Sequence, residues 1–108
     1  MHRENRLDAA EKCYRTLLEL EPSNANATHF LGVLLQQRGE AAEALKLIRE
    51  SISLDPLVAS WHNNIGNLLL AGEKFEEAAT AYGRALELAT NPSERAFLER
   101  RFAEVTAP

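Results

Sequence analysis

Residues 31–56 read LGVLLQQRGEAAEALKLIRESISLDP, and residues 65–90 read IGNLLLAGEKFEEAATAYGRALELAT. Set one beneath the other, they align with an offset of 34 (66−32): Leu31 with Ile65, Gly32 with Gly66, Leu35 with Leu69, and Ala44 with Ala78. Upstream, the same offset brings Ala10 into the alanine column and Pro22 beneath Pro56. It also aligns Tyr14 with Ile48 and Tyr82, Leu18 with Ile52 and Leu86, and Leu20 with Leu54 and Leu88. A period this long, kept at small and apolar positions, marks stacked supersecondary units that share one core. Such a stack offers a surface for holding a partner rather than a pocket for chemistry.

The apolar spacing is helical throughout. Leu7, Ala10, Tyr14, Leu17 and Leu18 form one amphipathic stripe. Pro22 stops that helix, because proline disfavours helical backbone in the residue before it. A second helix is expected after Asn24, a good N-cap, with Thr28, Leu31, Gly32 and Leu35 on one face and Gly39 as a left-handed C-cap. A third is predicted over 41–53, before Asp55-Pro56. A fourth is predicted over 58–70 with Gly72 as its stop, and a fifth over 75–88. Asn91-Pro92-Ser93-Glu94 opens a sixth: an N-cap, a proline at the first helical position and a glutamate resembling a capping box. No strand pattern or linker interrupts the series.

Helix pairs repeating every 34 residues resemble the tetratricopeptide repeat family, and the residues match its motif. The family's Leu-Gly pair is met by Leu31-Gly32 and Ile65-Gly66, and its early alanine in the second helix by Ala44 and Ala78. The large residue that follows is Ile48 or Tyr82, then a small one, Ser51 or Ala85, with Pro56 closing the unit. The resemblance implies an all-α, right-handed superhelical stack of antiparallel helix pairs. On this reading 1–108 is a single repeat domain: 1–22 is the second helix of a truncated repeat, 25–56 and 59–90 are repeats, and 91–106 is a C-terminal capping helix. Packing explains the columns. Glycine admits the partner helix, alanine fills the contact across from it, and larger residues plug gaps.

The departures are informative. Thr28 and His62 stand where the family often has a bulky aromatic, although Trp61 is adjacent. Thr90 replaces the expected proline. Glu99 and Arg100 replace a further Leu-Gly, so the last helix reads as a cap, with Ala96, Leu98, Phe102 and Val105 inward and its charges in water. At the other end the first helix of a repeat is missing. The apolar edge this leaves implies an excised piece of a longer array, or self-association through residues 7–20.

In this family the first helix of each unit lines a concave groove. By position, the resemblance assigns to it Asn26, His29, Phe30, Val33, Gln36 and Gln37, then Ser60, Asn63, Asn64, Asn67 and Leu70. Amides donate and accept together, which suits the backbone of an extended peptide. Phe30, Val33 and Leu70 add apolar contact. These positions include no Lys or Arg, which argues against the carboxylate-gripping groove of some family members. The run His62-Asn63-Asn64-Ile65-Gly66-Asn67 is similar to repeats preceding O-linked N-acetylglucosamine transferase-type domains, as in a bacterial protein of that kind. The groove is therefore expected to hold a peptide or helix of a partner protein. The alternatives are self-association, or service as the substrate-recognition arm of a larger enzyme such as a glycosyltransferase.

Bulk properties agree with a binding role. The chain has 108 residues, 45% hydrophobic and 26% charged, with a formal net charge of −4 and a pI near 5.4. That balance argues against nucleic acid or an anionic membrane as partner. One cysteine, Cys13, permits no internal disulfide, and with no apolar run near ~20 residues a cytoplasmic location is expected. Cys13 has no histidine placed beside it, and reads as a half-buried thiol at a packing seam. His2, His29 and His62 lack metal-ligand spacing. There is no glycine-rich phosphate loop. Glu40, Glu43, Glu50, Glu73, Glu76 and Glu77 read as a solvated back. No catalytic residue, metal or cofactor is expected.

Overall fold

The computed structural model describes residues 2–108, and among them the chain is all-helical, without strands. The helices are α1 (His2–Leu20), α2 (Ala25–Gln37), α3 (Ala41–Leu54), α4 (Ala59–Ala71), α5 (Phe75–Leu88) and α6 (Pro92–Thr106). They fall into two compact units, Met1–Pro56 and Leu57–Pro108. The helix bounds lie close to those read from the sequence. The exception is α1, which begins five residues before Leu7 on a polar, charged turn that carries no apolar stripe.

In the first unit α2 and α3 form the central hairpin. Ala27, Leu31, Leu34, Leu35, Ala44 and Ile48 make its core. Gly32 is the point of closest approach. A Cβ there would lie 2.8 Å from Ile48 Cγ1 and 3.3 Å from both the Ala44 carbonyl oxygen and Leu47 Cβ. Asn24 caps α2 by accepting from the Ala27 amide at 2.9 Å, as its residue type predicts. Thr28, buried where an aromatic is common in this family, donates its hydroxyl to the Asn24 carbonyl at 3.0 Å. A buried polar group is thereby satisfied. Helix α1 is held by three devices: the Tyr14 ring stacks on Phe30 with centroids 6.4 Å apart, Arg38 pairs with Asp8 and Glu11, and Arg15 bridges Glu11 and Glu43. Exposed pairs of this kind contribute ~0–1 kcal/mol each, so the rings and the apolar contacts carry most of the attachment.

The second unit repeats the plan with larger parts. Trp61, Ile65, Leu68, Leu69, Ala78, Ala81, Tyr82 and Ala85 are buried, and Leu98 brings α6 onto the hairpin. A Cβ on Gly66 would lie 2.7 Å from Tyr82 Cε1. Asn91 caps α6, accepting from the Ser93 amide at 2.8 Å and the Glu94 amide at 3.2 Å. Arg95 donates to the carbonyls of Leu86 (2.6 Å) and Ala89 (3.1 Å), satisfying acceptors that the end of α5 would otherwise leave open. This cap charge is therefore engaged with main chain rather than turned to water.

The turns within the two hairpins, after α2 and after α4, show one instructive difference. After α2, the Gly39 amide donates to Gln36 and the Glu40 amide to Leu35, a Schellman closure with Gly39 at φ +82. After α4, the Glu73 amide donates to Leu70 and the Lys74 amide to Leu69, so the left-handed residue is Glu73, at φ +59. Gly72, read from the sequence as the stop, is still right-handed at φ −87. The offset of 34 places Glu73 (39+34) where glycine stands in the first unit.

Candidate functional site

Helical geometry separates the residues of α2 into two faces. Ala27, Thr28, Leu31, Leu34 and Leu35 turn inward. Asn26, Phe30 and Gln37 are exposed, while Val33 and Gln36 are half-buried. Phe30 keeps 47% of its surface despite its contacts with Tyr14 and, edge-on, with His29 at 5.7 Å.

His29 is placed differently from its sequence-based assignment to an open groove. It is 1% exposed, and its Nδ1 lies 3.2 Å from Ser51 Oγ on α3. Ser51 spends its one proton on the Ile48 carbonyl at 2.7 Å. The imidazole Nδ1 must then be the donor in the His29–Ser51 bond. Burial lowers the His29 pKa to about 4, so the ring is neutral near pH 7.

In the second unit Ser60, Asn63, Asn64, Asn67 and Leu70 recur at helical spacing on the side of α4 opposite Trp61, Ile65, Leu68 and Leu69. Ser60 is exposed and the other four are half-buried. Asn63 Oδ1 is buried with no hydrogen-bond partner among the described residues. Asn67 is occupied: its Oδ1 accepts from the Tyr82 hydroxyl at 2.6 Å and from Arg101 Nη2 at 3.2 Å. Burial raises the Tyr82 pKa, which keeps the phenol protonated as that donor.

Arg101 is the residue that sequence reasoning missed. Read as a solvated cap charge, it instead lays its guanidinium 5.9 Å from the Tyr82 ring centroid and 5.6 Å from that of Phe97, close enough for cation–π attraction. It also pairs with Glu104 at 3.6 Å. The signal was present, since Arg101 stands 34 residues after Asn67 (101−67), in the column expected to face a ligand. The α4 face is thus not uncharged: one cation borders Asn67. Cys13 also departs from expectation. Its thiol is exposed rather than half-buried at a packing seam.

The sequence model of the tetratricopeptide repeat matches residues 3–59 and 63–101. The chain belongs to the tetratricopeptide repeat family. Its curated relatives include a cellulose synthase 1 operon protein C of Komagataeibacter xylinus, 28% identical over 69 residues that span 63% of this chain and 5% of the relative. A DnaJ homolog subfamily C member 7 homolog of Schizosaccharomyces pombe is 29% identical over 97 residues, covering 79% of this chain and 20% of the relative. The chain therefore spans a small part of the length of the curated relatives it matches.

Among solved structures, PcrH in complex with the chaperone-binding region of PopD superposes with a TM-score of 0.85 at 21% identity, covering 98% of this chain and 83% of that one. The first repeat domain of Spaghetti (RPAP3), bound to an HSP90 peptide, gives 0.82 at 22% identity and covers 99% and 85%. A Thermobaculum terrenum O-GlcNAc transferase gives 0.73 at 30% identity, covering 91% of this chain and 22% of that one. Among the described residues, no helix is long and apolar enough to cross a membrane.

Proposed function

We propose that this chain is a protein–protein interaction module whose first helices, α2 and α4, offer their amide-rich faces to a peptide or helix of a partner protein. The observation that carries the reading is the α4 face. Ser60, Asn63, Asn64 and Leu70 stand there at helical spacing, on the side opposite the buried Trp61, Ile65 and Leu69. On α2, the contributors are Asn26, Phe30, Val33, Gln36 and Gln37, with Phe30 as the apolar anchor and His29 acting from beneath by fixing the ring of Phe30. Leu70 and Asn67 complete the α4 face, Asn67 through its amide nitrogen. Support also comes from fold neighbours solved with peptides of their partners.

The test is to select binders from a random peptide library on the immobilised chain and titrate them by fluorescence anisotropy. Asn63→Ala with Asn64→Ala is expected to weaken binding about tenfold or more, the effect of losing one or two hydrogen bonds. Asn67 is left intact because it also serves the fold. Unchanged affinity in the double variant removes α4 from the reading.

A second reading, the recognition arm of a glycosyltransferase, draws on the 30% identity to the Thermobaculum terrenum enzyme. An adjoining glycosyltransferase domain in the parent gene supports it, and a gene without one removes it.

A further inference from the structure

The amide of Asn67 is held by neighbours from two other helices of its unit. Its Oδ1 accepts from the Tyr82 hydroxyl on α5 at 2.6 Å and from Arg101 Nη2 on α6 at 3.2 Å. The two donors are not equivalent. A phenol both donates and accepts, so it pairs equally well with either end of an amide. A guanidinium carries donors alone and pairs only with the oxygen. Arg101 therefore sets the orientation, and Tyr82 follows it. With Oδ1 occupied twice, Nδ2 is the end of the amide left for a ligand.

Arg101 is itself committed. Its guanidinium lies within 6 Å of the Tyr82 and Phe97 ring centroids, at 5.9 and 5.6 Å. Its Nη1 is 3.6 Å from Glu104 Oε2. Glu104 offsets the positive charge, and the rings and the Asn67 oxygen take up the rest of the guanidinium. The group turned outward is thus a neutral N–H donor beside a charge already balanced within the unit. Val33 holds this position in the first unit (67−34), and it has no donor to match.

We propose that Arg101 is a positioning residue that fixes Asn67 as a hydrogen-bond donor, and that the partner group it reads is an uncharged carbonyl oxygen. This inference rests on the reading of α4 as a partner-binding face and names what that face requires at one point. An incoming N–H group would meet a donor there, and an incoming carboxylate would meet no free charge. Uncharged carbonyls come from main chain or from Asn and Gln side chains, and the test separates the two.

The probes are peptides selected from the random library on the immobilised chain, titrated by fluorescence anisotropy, with circular dichroism following each variant's fold. Asn67→Asp still accepts from Tyr82 and Arg101 but turns an acceptor outward in place of the donor. Its melting temperature is expected to hold while affinity falls by about tenfold or more. Arg101→Met, which keeps bulk against the rings, is expected to weaken binding several-fold. Arg101→Lys, again a donor only, is expected to recover most of it. Replacing every Asp and Glu of the peptide by Asn and Gln, with an amidated C-terminus, is expected to change affinity by less than about twofold.

Alanine replacement of each peptide Asn and Gln then finds the carbonyl. A position whose loss makes Asn67→Asp harmless marks a side chain, and a peptide with no such position marks main chain. Peptides that need Asn63 and Asn64 but ignore Asn67→Asp overturn this inference and leave the reading of the face standing. Affinity lost on neutralising the peptide assigns the contact to a carboxylate and overturns it too. The orientation is checked without a ligand, by nuclear Overhauser contacts of the Asn67 Nδ2 protons. Contacts to the Tyr82 ring protons beside the hydroxyl would place the amide the other way round and overturn the proposal.

Discussion

Gly66 and Tyr82 approach so closely that a β-carbon on the glycine would stand 2.7 Å from the ring's Cε1. The tyrosine is fully buried, and its ring carbons Cδ1 and Cζ would lie within 2.9 and 3.0 Å of the same point. A rigid aromatic ring cannot bend away as an aliphatic tip can. Helix α5 would have to move off α4. Gly66→Ala is therefore expected to destabilise the chain by about 1–3 kcal/mol, although alanine is the better helix former. Gly83→Ala is the contrast. A Cβ there meets Phe102 at an ordinary 3.4 Å, so the propensity gain of up to ~1 kcal/mol is expected to survive. Urea denaturation of the two variants should move the midpoint in opposite directions.

The left-handed turn after α4 predicts a stabilising change. Glu73 sits at φ +59 in the role that Gly39 fills at φ +82. A side chain in this region costs roughly 1–2 kcal/mol, offset in part by the extra freedom glycine gives the unfolded chain. Glu73→Gly is expected to raise the thermal midpoint by a few degrees, and Gly39→Ala to lower it. Calorimetry at neutral pH measures both.

His29 makes stability depend on pH. Its folded pKa is lowered from 6.5 to about 4 by burial. Between those values the unfolded chain binds a proton that the folded chain refuses. This contribution is complete above pH 6.5 and lost as pH falls toward 4, a change of at most about 3 kcal/mol. Over pH 7 to 5, the wild type is expected to lose more stability than His29→Gln, measured by chemical denaturation. Parallel profiles for the two would assign the loss to other groups.

Asn67 joins three elements, accepting from Tyr82 on α5 and Arg101 on α6. Asn67→Ala strands a buried phenol and is expected to cost about 1–3 kcal/mol. Asn26→Ala, at an exposed position of α2, should change stability far less. Urea denaturation midpoints of the two variants compare a buried, shared amide with an exposed one.

What the sequence disclosed follows from where the 34-residue columns hold backbone-scale features. Gly32, Gly66, Ala44 and Ala78 were legible because close helix approach admits few residue types. Asn24, Gly39 and Asn91 were legible because helix ends need specific acceptors or dihedrals. His29 was not, since its column holds Asn63 in the next unit. The hint lay in a pair of positions: His29 with Ser51 in the first unit, Asn63 with Ala85 in the second. Where the serine hydroxyl is present the histidine turns in to meet it. Where it is absent, the Asn63 Oδ1 has no hydrogen-bond partner among the described residues. Arg101 was read as solvated because long cationic side chains usually are, yet the same length lets it fold back over two rings.

Arg95 rests its guanidinium on the main-chain oxygens of Leu86 and Ala89, not on their side chains. Those oxygens are present whatever residues carry them. The clasp between α5 and α6 thus tolerates drift in the side chains along the end of α5, since only the path of the backbone has to be kept.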